Sequence, residues 1–395
     1  MTQTIKIERV PESIVRSSSD VRKHYFISKT IAHLRLIHAK KETLSLVSQS
    51  AGPDIIIVTG PTGVGKTTLA NKIEESVLEK NANLMEMDKS CLSVLRLDAV
   101  PPGHDVKFDW KDFYIRALKT FKEPCVFSKQ LFPDYLHIEE PLTFIPALNT
   151  IPSLRRSFEN TMKARKTTLL IIDEANHIFM RGSKNLHLQF EIIKSLSQHC
   201  NATFVLVGTY DLLHIVEQSA QLVRRSKVVH MSRYIDVKSD DRNAFAEALL
   251  TFQRHMPFAI EPNLISNFDY FFLKSAGCIG ILKDWLDLAV ERAIDENRPT
   301  IDMAYIETFS PTNKEIKTVL EEAFLGENTL KDIGIQELRV MVNKQNELMG
   351  FSRAKNQNDS ISKQKVVKGK VAVGKRNPHR DSTNLQFEFP IEIEV

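Results

Sequence analysis

Nine consecutive residues decide the fold of this chain: Gly60-Pro61-Thr62-Gly63-Val64-Gly65-Lys66-Thr67-Thr68. They match the P-loop pattern G-x-x-x-x-G-K-[ST] at every fixed position. The apolar run Asp54-Ile-Ile-Ile-Val58 precedes them, and Thr68-Leu-Ala-Asn-Lys-Ile-Glu-Glu opens a helix after them. A strand, a glycine-rich turn and a helix therefore follow one another, as this motif requires. The competing explanation is a glycine-rich turn that happens to precede a helix.

Each part of the motif has a role in holding the phosphates of a nucleotide. The glycines let backbone N–H groups converge on phosphate oxygens, and the N-terminus of the helix adds positive potential. Lys66 supplies a positive charge to the β- and γ-phosphates, and the Thr67 hydroxyl ligates magnesium. The sequence therefore predicts that residues 60–68 bind ATP together with Mg²⁺.

A second apolar run, Leu169-Leu-Ile-Ile-Asp173-Glu174, ends in two carboxylates. We expect Asp173 to orient magnesium and Glu174 to polarise the attacking water as a general base. The alternative is a surface Asp-Glu pair at the end of a strand. An acid that can act as a base favours hydrolysis of ATP over binding alone.

Two weaker candidates follow along the chain. Phe204-Val-Leu-Val-Gly-Thr209 ends in a hydroxyl that could contact the γ-phosphate or the water, or could cap the helix that follows. Arg224 and Arg225 precede the last core strand. In ring ATPases an arginine there reaches the γ-phosphate of the neighbouring subunit. A solvated basic turn is the alternative for this pair.

Strands and helices alternate around these motifs. The further apolar runs are Val94–Val100, Thr168–Ile172, Thr203–Val207 and Lys227–Met231. Helical stretches separate the runs at about 66–80, 110–121, 152–164, 186–199 and 211–221. The pattern predicts an α/β P-loop NTPase, with a parallel sheet covered by helices on both faces and followed by a small all-helical lid.

The chain divides into five expected segments. They are an N-terminal arm and helix (1–50), the α/β ATPase core (51–235, with an insertion at about 122–150), the helical lid (236–300), C-terminal helices (301–350, with helices at 313–325 and 330–347) and a tail (351–395). We expect residues 1–20 to be poorly ordered and a single helix from Val21 to about Ser48. The tail carries a net charge of +8 between Arg353 and Arg380 and then ends in alternating acidic and apolar residues, so it is expected to be disordered.

The amino-acid composition indicates which class of protein this chain belongs to. The chain has 395 residues, 42% of them hydrophobic and 26% charged, which is typical of a soluble globular protein. No apolar run reaches the ~18 residues needed to span a bilayer. The four cysteines form no CxxC pair, so we expect buried thiols, a reducing compartment and a cytoplasmic location.

The net charge of +4 does not by itself indicate a nucleic-acid partner, so the positions of the cations matter. Basic residues lie between the second strand and its helix: Lys107, Lys111, Arg116 and Lys119. They would contact DNA phosphates with little sequence preference, from the interior of the ring that the family resemblance given below implies. An exposed charged helix without a partner is the alternative.

The order of P-loop, strand-Asp-Glu, polar strand end, arginine pair and helical lid resembles the AAA+ ATPases, and within them the TnsC/TniB transposition regulators, which are MuB-like. The stretches that resemble this family are Tyr25-Phe26, Leu95-Arg-Leu-Asp-Ala-Val-Pro-Pro-Gly103, Phe108-Asp-Trp-Lys-Asp-Phe-Tyr114, Asp173-Glu-Ala-Asn-His177 and Val207-Gly-Thr209. The resemblance covers about residues 21–300. One departure is Gly277-Cys-Ile-Gly280, which has glycine where many lids carry the arginine of G-x-x-R, with Lys283 one turn later.

The resemblance implies a homo-oligomer, a ring or a helical filament, that forms with ATP on double-stranded DNA. It further implies that the assembly links a target-selector protein (TniQ-like or similar) to a transposase and disassembles on ATP hydrolysis. Two alternatives stay open. One is an AAA+ replication initiator or helicase loader, and the other is a non-DNA signalling NTPase that acts as a nucleotide-controlled switch.

Overall fold

The structure, a computed structural model, describes residues 9–49, 52–101, 108–123, 150–179, 186–216 and 225–348. The expected insertion (within 124–149), the C-terminal tail, Lys107 and Arg224 lie outside the described residues. The chain forms two compact units, residues 1–331 and 332–395, and each is described by itself.

The N-terminal segment differs from its prediction. It contains the helices α1 (Glu12–Val15), α2 (Ser19–Ile27) and α3 (Leu34–Val47). Residues 9–20 are not poorly ordered, since Val10 is buried and its N–H donates to the Arg254 carbonyl at 2.8 Å. The single helix from Val21 to Ser48 was also wrong. Phe26 of α2 packs into the core of the lid, whereas Leu36 of α3 packs into the core beside the sheet, so the chain must break between them.

Within the described ranges, five parallel strands form the central sheet. They are β1 (Ile55–Thr59), β2 (Val94–Asp98), β3 (Leu169–Asp173), β4 (Thr203–Gly208) and β5 (Ser226–His230), in the spatial order β2-β3-β4-β1-β5. Every residue of β1 and β3 is buried, as expected of parallel strands covered on both faces. The α/β fold predicted from the sequence is therefore confirmed. Because all strands are parallel, their carboxyl ends lie along one edge of the sheet.

Helices cover both faces of this sheet. They are α4 (Lys66–Lys80), α5 (Ala82–Met87), α6 (Trp110–Thr120), α7 (Ile151–Ala164), α8 (Leu186–Cys200) and α9 (Leu213–Val216). Successive side chains of a strand point to opposite faces. Ile57 accordingly packs in the core formed by α6, α7 and α8, whereas Val58 packs in the core that contains Leu69 and Ile73 of α4.

The region after β5 is helical in the described part of the chain. The first unit continues with α10 (Ser239–His255), α11 (Phe268–Lys274), α12 (Ile279–Asp295), α13 (Met303–Glu307) and α14 (Asn313–Thr329), and the second unit contains α15 (Ile335–Leu348). Phe245, Phe271 and Trp285 are buried in a core of their own, as expected of a small helical lid. No helix among the described residues has the length and apolarity to cross a membrane.

Candidate nucleotide-binding site

The P-loop joins the end of β1 to the start of α4, and its glycines are required by its geometry. Gly63 and Gly65 have φ angles of 73° and 102°, in the left-handed region that favours glycine. A Cβ atom on Gly60 would lie 2.2 Å from the Met231 carbonyl oxygen, so this position also excludes any side chain. The local backbone is therefore the one that the sequence motif predicts.

Lys66 lies across this loop. Its ammonium group donates hydrogen bonds to the carbonyls of Gly60 and Pro61, both at 2.9 Å. Burial lowers the pKa of Lys66, and nearby carboxylates oppose that change, Glu322 first and Glu174 next. A half-buried cation at the start of a helix is suited to bind the phosphates of a nucleotide.

The two strand-end carboxylates differ in their surroundings. Asp173 is buried, and its two oxygens accept hydrogen bonds from the Arg96 guanidinium and the Glu174 N–H, both at 3.0 Å. Glu174 is exposed and has a φ angle of 51°, a conformation uncommon outside glycine and often found at functional sites. Asp173 is thus fixed in place, and Glu174 is accessible to solvent at the same edge of the sheet.

Sequence reasoning missed Arg96. It lies in the middle of β2, its side chain is only 20% exposed, and its Nε is buried without a hydrogen-bond partner. A charged residue inside the apolar run Val94–Asp98 was the available signal, because such a residue needs a buried partner. The ion pair with Asp173 is that partner.

Replacing Arg96 by methionine is expected to lower the free energy of unfolding by about 2–4 kcal/mol, because it leaves the Asp173 carboxylate buried without a compensating charge. The double variant Arg96→Met/Asp173→Asn should regain most of this loss. Denaturant unfolding of the four proteins, without nucleotide, measures the coupling between the two residues. If Arg96→Met lowers the free energy of unfolding equally with and without Asp173→Asn, the ion pair does not contribute to stability.

Thr209 follows β4 at the same edge of the sheet. The Thr59 hydroxyl donates to the Thr209 carbonyl at 2.9 Å, which ties the ends of β1 and β4 together. The Thr209 side chain makes no capping hydrogen bond to the short 3-10 turn Tyr210–Leu212 that follows. Thr209 thus occupies the N-cap position through its backbone, and the role of its hydroxyl toward a nucleotide stays a prediction.

A cavity, here called the strand-end cavity, lies beside Thr209. It has a volume of about 540 Å³. Its lining includes Thr62 of the P-loop, Asn176 after β3 and Glu322 of α14. Because it adjoins the ends of β3 and β4, it is on the side where the terminal phosphate and the attacking water of a P-loop site lie.

A second cavity, here called the lid cavity, lies on the other side of the P-loop. It has a volume of about 250 Å³. It is bounded by Ile31 and His33 before α3, by Gly65 and Thr68 of the P-loop region, and by Lys283 of the lid. Burial lowers the pKa of His33 to about 4, so its ring is neutral at pH 7. Apolar side chains such as Ile31 and charged groups such as Lys283 contribute to its lining in similar proportion.

The start of lid helix α12 rests directly on the P-loop. The Ile281 N–H donates to the Gly63 carbonyl at 3.2 Å, and a Cβ atom on Gly280 would lie 2.3 Å from that same oxygen. Any side chain at position 280 would force the two segments apart. This contact gives the physical reason why the chain has no arginine at this point of the lid.

Lys283 binds oxygen atoms of the protein itself. Its ammonium group donates to the Ile27 carbonyl at 3.2 Å and to the Asp287 carboxylate at 2.5 Å. Burial raises the pKa of Asp287 to about 6, although the Lys283 hydrogen bond opposes the change. Lys283 therefore joins the lid to the N-terminal segment, and its role as a replacement for the missing arginine stays a hypothesis.

Arg225 lies at the opposite edge of the sheet from the P-loop. It precedes β5, whose first residue Ser226 pairs with Ile55, and it forms an ion pair with Asp54 at 3.3 Å. A five-residue strand spans about 16 Å. Arg225 is therefore too far from the P-loop of its own chain to contact the same nucleotide, and its role toward a neighbouring subunit stays a prediction.

The described DNA candidates lie on the exposed face of α6. Lys111, Arg116 and Lys119 are exposed, whereas Phe113 and Tyr114 of the same helix are buried against the sheet. Arg116 forms an ion pair with Asp112 four residues earlier in the helix. The exposure of these cations is compatible with both alternatives, a DNA-binding helix and a solvated helix without a partner.

The oxygen donors of the site are suited to magnesium. Within the described ranges, no cluster of three His, Cys, Asp or Glu side chains could hold a metal ion. Mg²⁺ in nucleotide sites is bound by one or two protein oxygens together with phosphates and water. The Thr67 hydroxyl and the buried Asp173 carboxylate are donors of this kind, and they would hold the ion with the nucleotide.

The parallel sheet, the P-loop, the strand-end carboxylates and the helical lid define a P-loop NTPase of the AAA+ type. Consistent with this class, residues 49–216 match the family model described as AAA domain. Among curated protein sequences, none matches the chain significantly.

Several solved structures are similar to the chain at low identity. The ORC2 protein of Aeropyrum pernix has 15% identity and a TM-score of 0.46, over 84% of this chain and 86% of that one. The Walker-type ATPase of Pyrococcus abyssi has 13% identity and a TM-score of 0.42, over 78% and 76%. AMPPCP-bound DnaA of Aquifex aeolicus has 16% identity and a TM-score of 0.40, over 69% and 67%. These values do not distinguish among AAA+ functions.

Proposed function

We propose that this protein is an ATP-dependent DNA-binding transposition regulator. It oligomerises on double-stranded target DNA, links a target selector to the transposase and disassembles when ATP is hydrolysed. The observation that carries the ATP-dependent part is the joint placement of Lys66, Asp173 and Glu174 at one edge of the sheet. The link to transposition rests on the resemblance of the sequence motifs to the TnsC/TniB regulators.

The side chains of the site have separate roles in hydrolysis. Lys66 binds the terminal phosphates, and Thr67 with Asp173 holds Mg²⁺, which supplies positive charge to the phosphate oxygens when bound. Glu174 accepts a proton from the attacking water, and the Thr209 hydroxyl lies on the same side as that water. Arg96 orients the Asp173 carboxylate through its 3.0 Å hydrogen bond.

The pair Arg224 and Arg225 connects hydrolysis to assembly, and Arg225 is the member of the pair that the structure describes. Because it lies one strand length from the P-loop of its own chain, it completes only the site of a neighbouring subunit. An arginine supplied in this way stabilises the charge of the transition state. ATP would then be hydrolysed faster in the oligomer than in the single chain. The rate of hydrolysis would therefore set the lifetime of the assembly.

Replacing Lys111, Arg116 and Lys119 together by alanine is expected to weaken binding to duplex DNA about 10–100-fold at moderate salt, equally for different sequences. The slope of log affinity against log salt should fall by about one for each phosphate contact that is lost. Fluorescence anisotropy with two unrelated duplexes measures both quantities. As a matched control, Lys163→Ala on the neighbouring helix α7 should leave affinity unchanged, and an unchanged slope in the triple variant would remove α6 from the DNA interface.

ATP-dependent co-sedimentation with duplexes of different sequence tests the proposed function against its alternatives. A transposition regulator should bind every duplex in the presence of a non-hydrolysable ATP analogue. Selective binding to one sequence would instead indicate a replication initiator, and no binding to any DNA would indicate a signalling NTPase. No strand follows β5 in the described residues, and a winged-helix DNA-reading domain is accordingly not found there.

A further inference from the structure

Helix α14, beyond the lid, is fixed at its start to lid helix α11, where the Lys274 ammonium group donates to the Pro311 carbonyl at 2.6 Å and to Asn313 Oδ1 at 3.1 Å, and near its end to the segment after β5. At its start, the Thr312 hydroxyl accepts from the Glu315 N–H and the Glu315 carboxylate accepts from the Thr312 N–H, which forms a capping box. Near its end, the Arg233 guanidinium donates to both oxygens of Glu327, at 2.9 and 3.3 Å. Both partners of this ion pair are less than 20% exposed. The helix is therefore held in one position.

The last turns of α14 pack against the turn that follows β4. Gly326 lies on the ring of Tyr210 so closely that a Cβ atom would be 2.0 Å from the ring carbon Cγ. The Tyr210 hydroxyl is in turn 2.8 Å from Nε2 of His230 at the end of β5. Tyr210 directly follows Thr209, so α14 contacts the segment that flanks the terminal-phosphate side of the site.

Glu322 is the residue of α14 that faces the P-loop. The Thr62 hydroxyl donates to its carboxylate at 3.3 Å. Among the carboxylates whose charge raises the pKa of Lys66, Glu322 has a larger effect than Glu174 or Asp173. Glu322 also lines the strand-end cavity together with Thr62. A negative charge of the protein itself thus lies beside Thr62 of the P-loop and acts electrostatically on Lys66.

We propose that Glu322 is a specificity-determining residue that disfavours ATP relative to ADP while α14 is docked. This inference rests on the proposed nucleotide-binding function. A terminal phosphate in the strand-end cavity and the Glu322 carboxylate compete for the Thr62 hydroxyl and the Lys66 ammonium group. Two anions in one partly enclosed site repel each other, so one of them must leave.

The consequence is a coupling between the nucleotide and helix α14. ADP has no third phosphate and binds with α14 docked. ATP binds only when α14 moves, and that movement breaks the Arg233–Glu327 ion pair and the contact of Gly326 with Tyr210. Undocking α14 costs free energy. This cost weakens the binding of ATP and leaves the binding of ADP unchanged.

Glu322→Gln tests the proposal, because glutamine keeps the shape and the hydrogen-bonding oxygen but removes the charge. The affinities of the full chain for ADP and for a non-hydrolysable ATP analogue are measured by calorimetry. The ratio of the two affinities is expected to shift about tenfold toward the ATP analogue. The matched control is Glu321→Gln, the neighbouring residue, which is exposed and pairs only with Lys317 in the same helix; its ratio should equal that of the unaltered protein.

A second variant, Arg233→Gln, weakens the docking of α14 without touching the P-loop, and it should shift the ratio in the same direction. An unchanged ratio in Glu322→Gln, or an equal change for both nucleotides, overturns the proposal. Failure of the unaltered protein to bind either nucleotide is a different result, since it contradicts the proposed function itself.

Discussion

Glu174→Gln is expected to slow ATP hydrolysis about 10²–10⁴-fold, the range typical for loss of a general base. Glutamine has the shape of glutamate but cannot accept the proton of the attacking water. Glu174 is exposed and binds neither Lys66 nor Asp173 through its side chain in the structure, so ATP affinity should change only a few-fold. Single-turnover phosphate release measures the rate, and nucleotide titration measures the affinity.

Asp98→Asn is the matched control for this variant. Asp98 is also a strand-end carboxylate, it pairs in register with Asp173, and its side chain is 70% exposed. It lies 3.8 Å from Arg96, farther than the 3.0 Å that separates Arg96 from Asp173. Its loss should change the rate of hydrolysis less than twofold. Glu174→Gln should still assemble with ATP, because binding and hydrolysis are separate steps. Normal phosphate release from Glu174→Gln would refute its role as the base.

Lys66→Ala is expected to abolish nucleotide binding, with a loss of affinity of about 100-fold or more, equivalent to about 3 kcal/mol. The ammonium group is the half-buried cation of the P-loop, and the methyl group of alanine cannot bind a phosphate. Titration with a fluorescent ATP analogue measures the affinity. The melting temperature of the variant without nucleotide shows whether the loop itself survives, because Lys66 also binds the Gly60 and Pro61 carbonyls.

Lys72→Ala, on the same helix, is the control for charge alone. Lys72 lies on the exposed side of α4 and pairs with Glu75. Its removal subtracts one positive charge from α4 without touching the P-loop, so affinity should stay within about twofold. Equal losses from both variants would mean that the general field of the helix, and not the contact of Lys66 with phosphate, determines binding.

The sheet and the P-loop could be predicted from the sequence because their signals are local. Strands β1 and β3 are short apolar runs that end in polar residues, and the P-loop glycines are dictated by backbone angles and close approach. The joint position of Lys66 and Asp173 then follows from topology, since parallel strands end at one edge. Neither inference needs contacts between distant helices.

The features that were missed depend on contacts between distant parts of the chain. Thr62 and Glu322 are 260 residues apart, and nothing in the sequence around Glu322 distinguishes it from the adjacent Glu321. The break between α2 and α3 likewise arises because Phe26 and Leu36 pack into different cores. Periodicity shows that a helix has an apolar face, but it does not show which element that face contacts.

Imaging of the protein by negative-stain electron microscopy, with duplex DNA and a non-hydrolysable ATP analogue, tests the central claim of ATP-dependent assembly most directly. The account predicts rings or helical filaments on the DNA with the analogue, and none with ADP or with DNA alone. Particles that remain single chains in the presence of both duplex DNA and the analogue would contradict it.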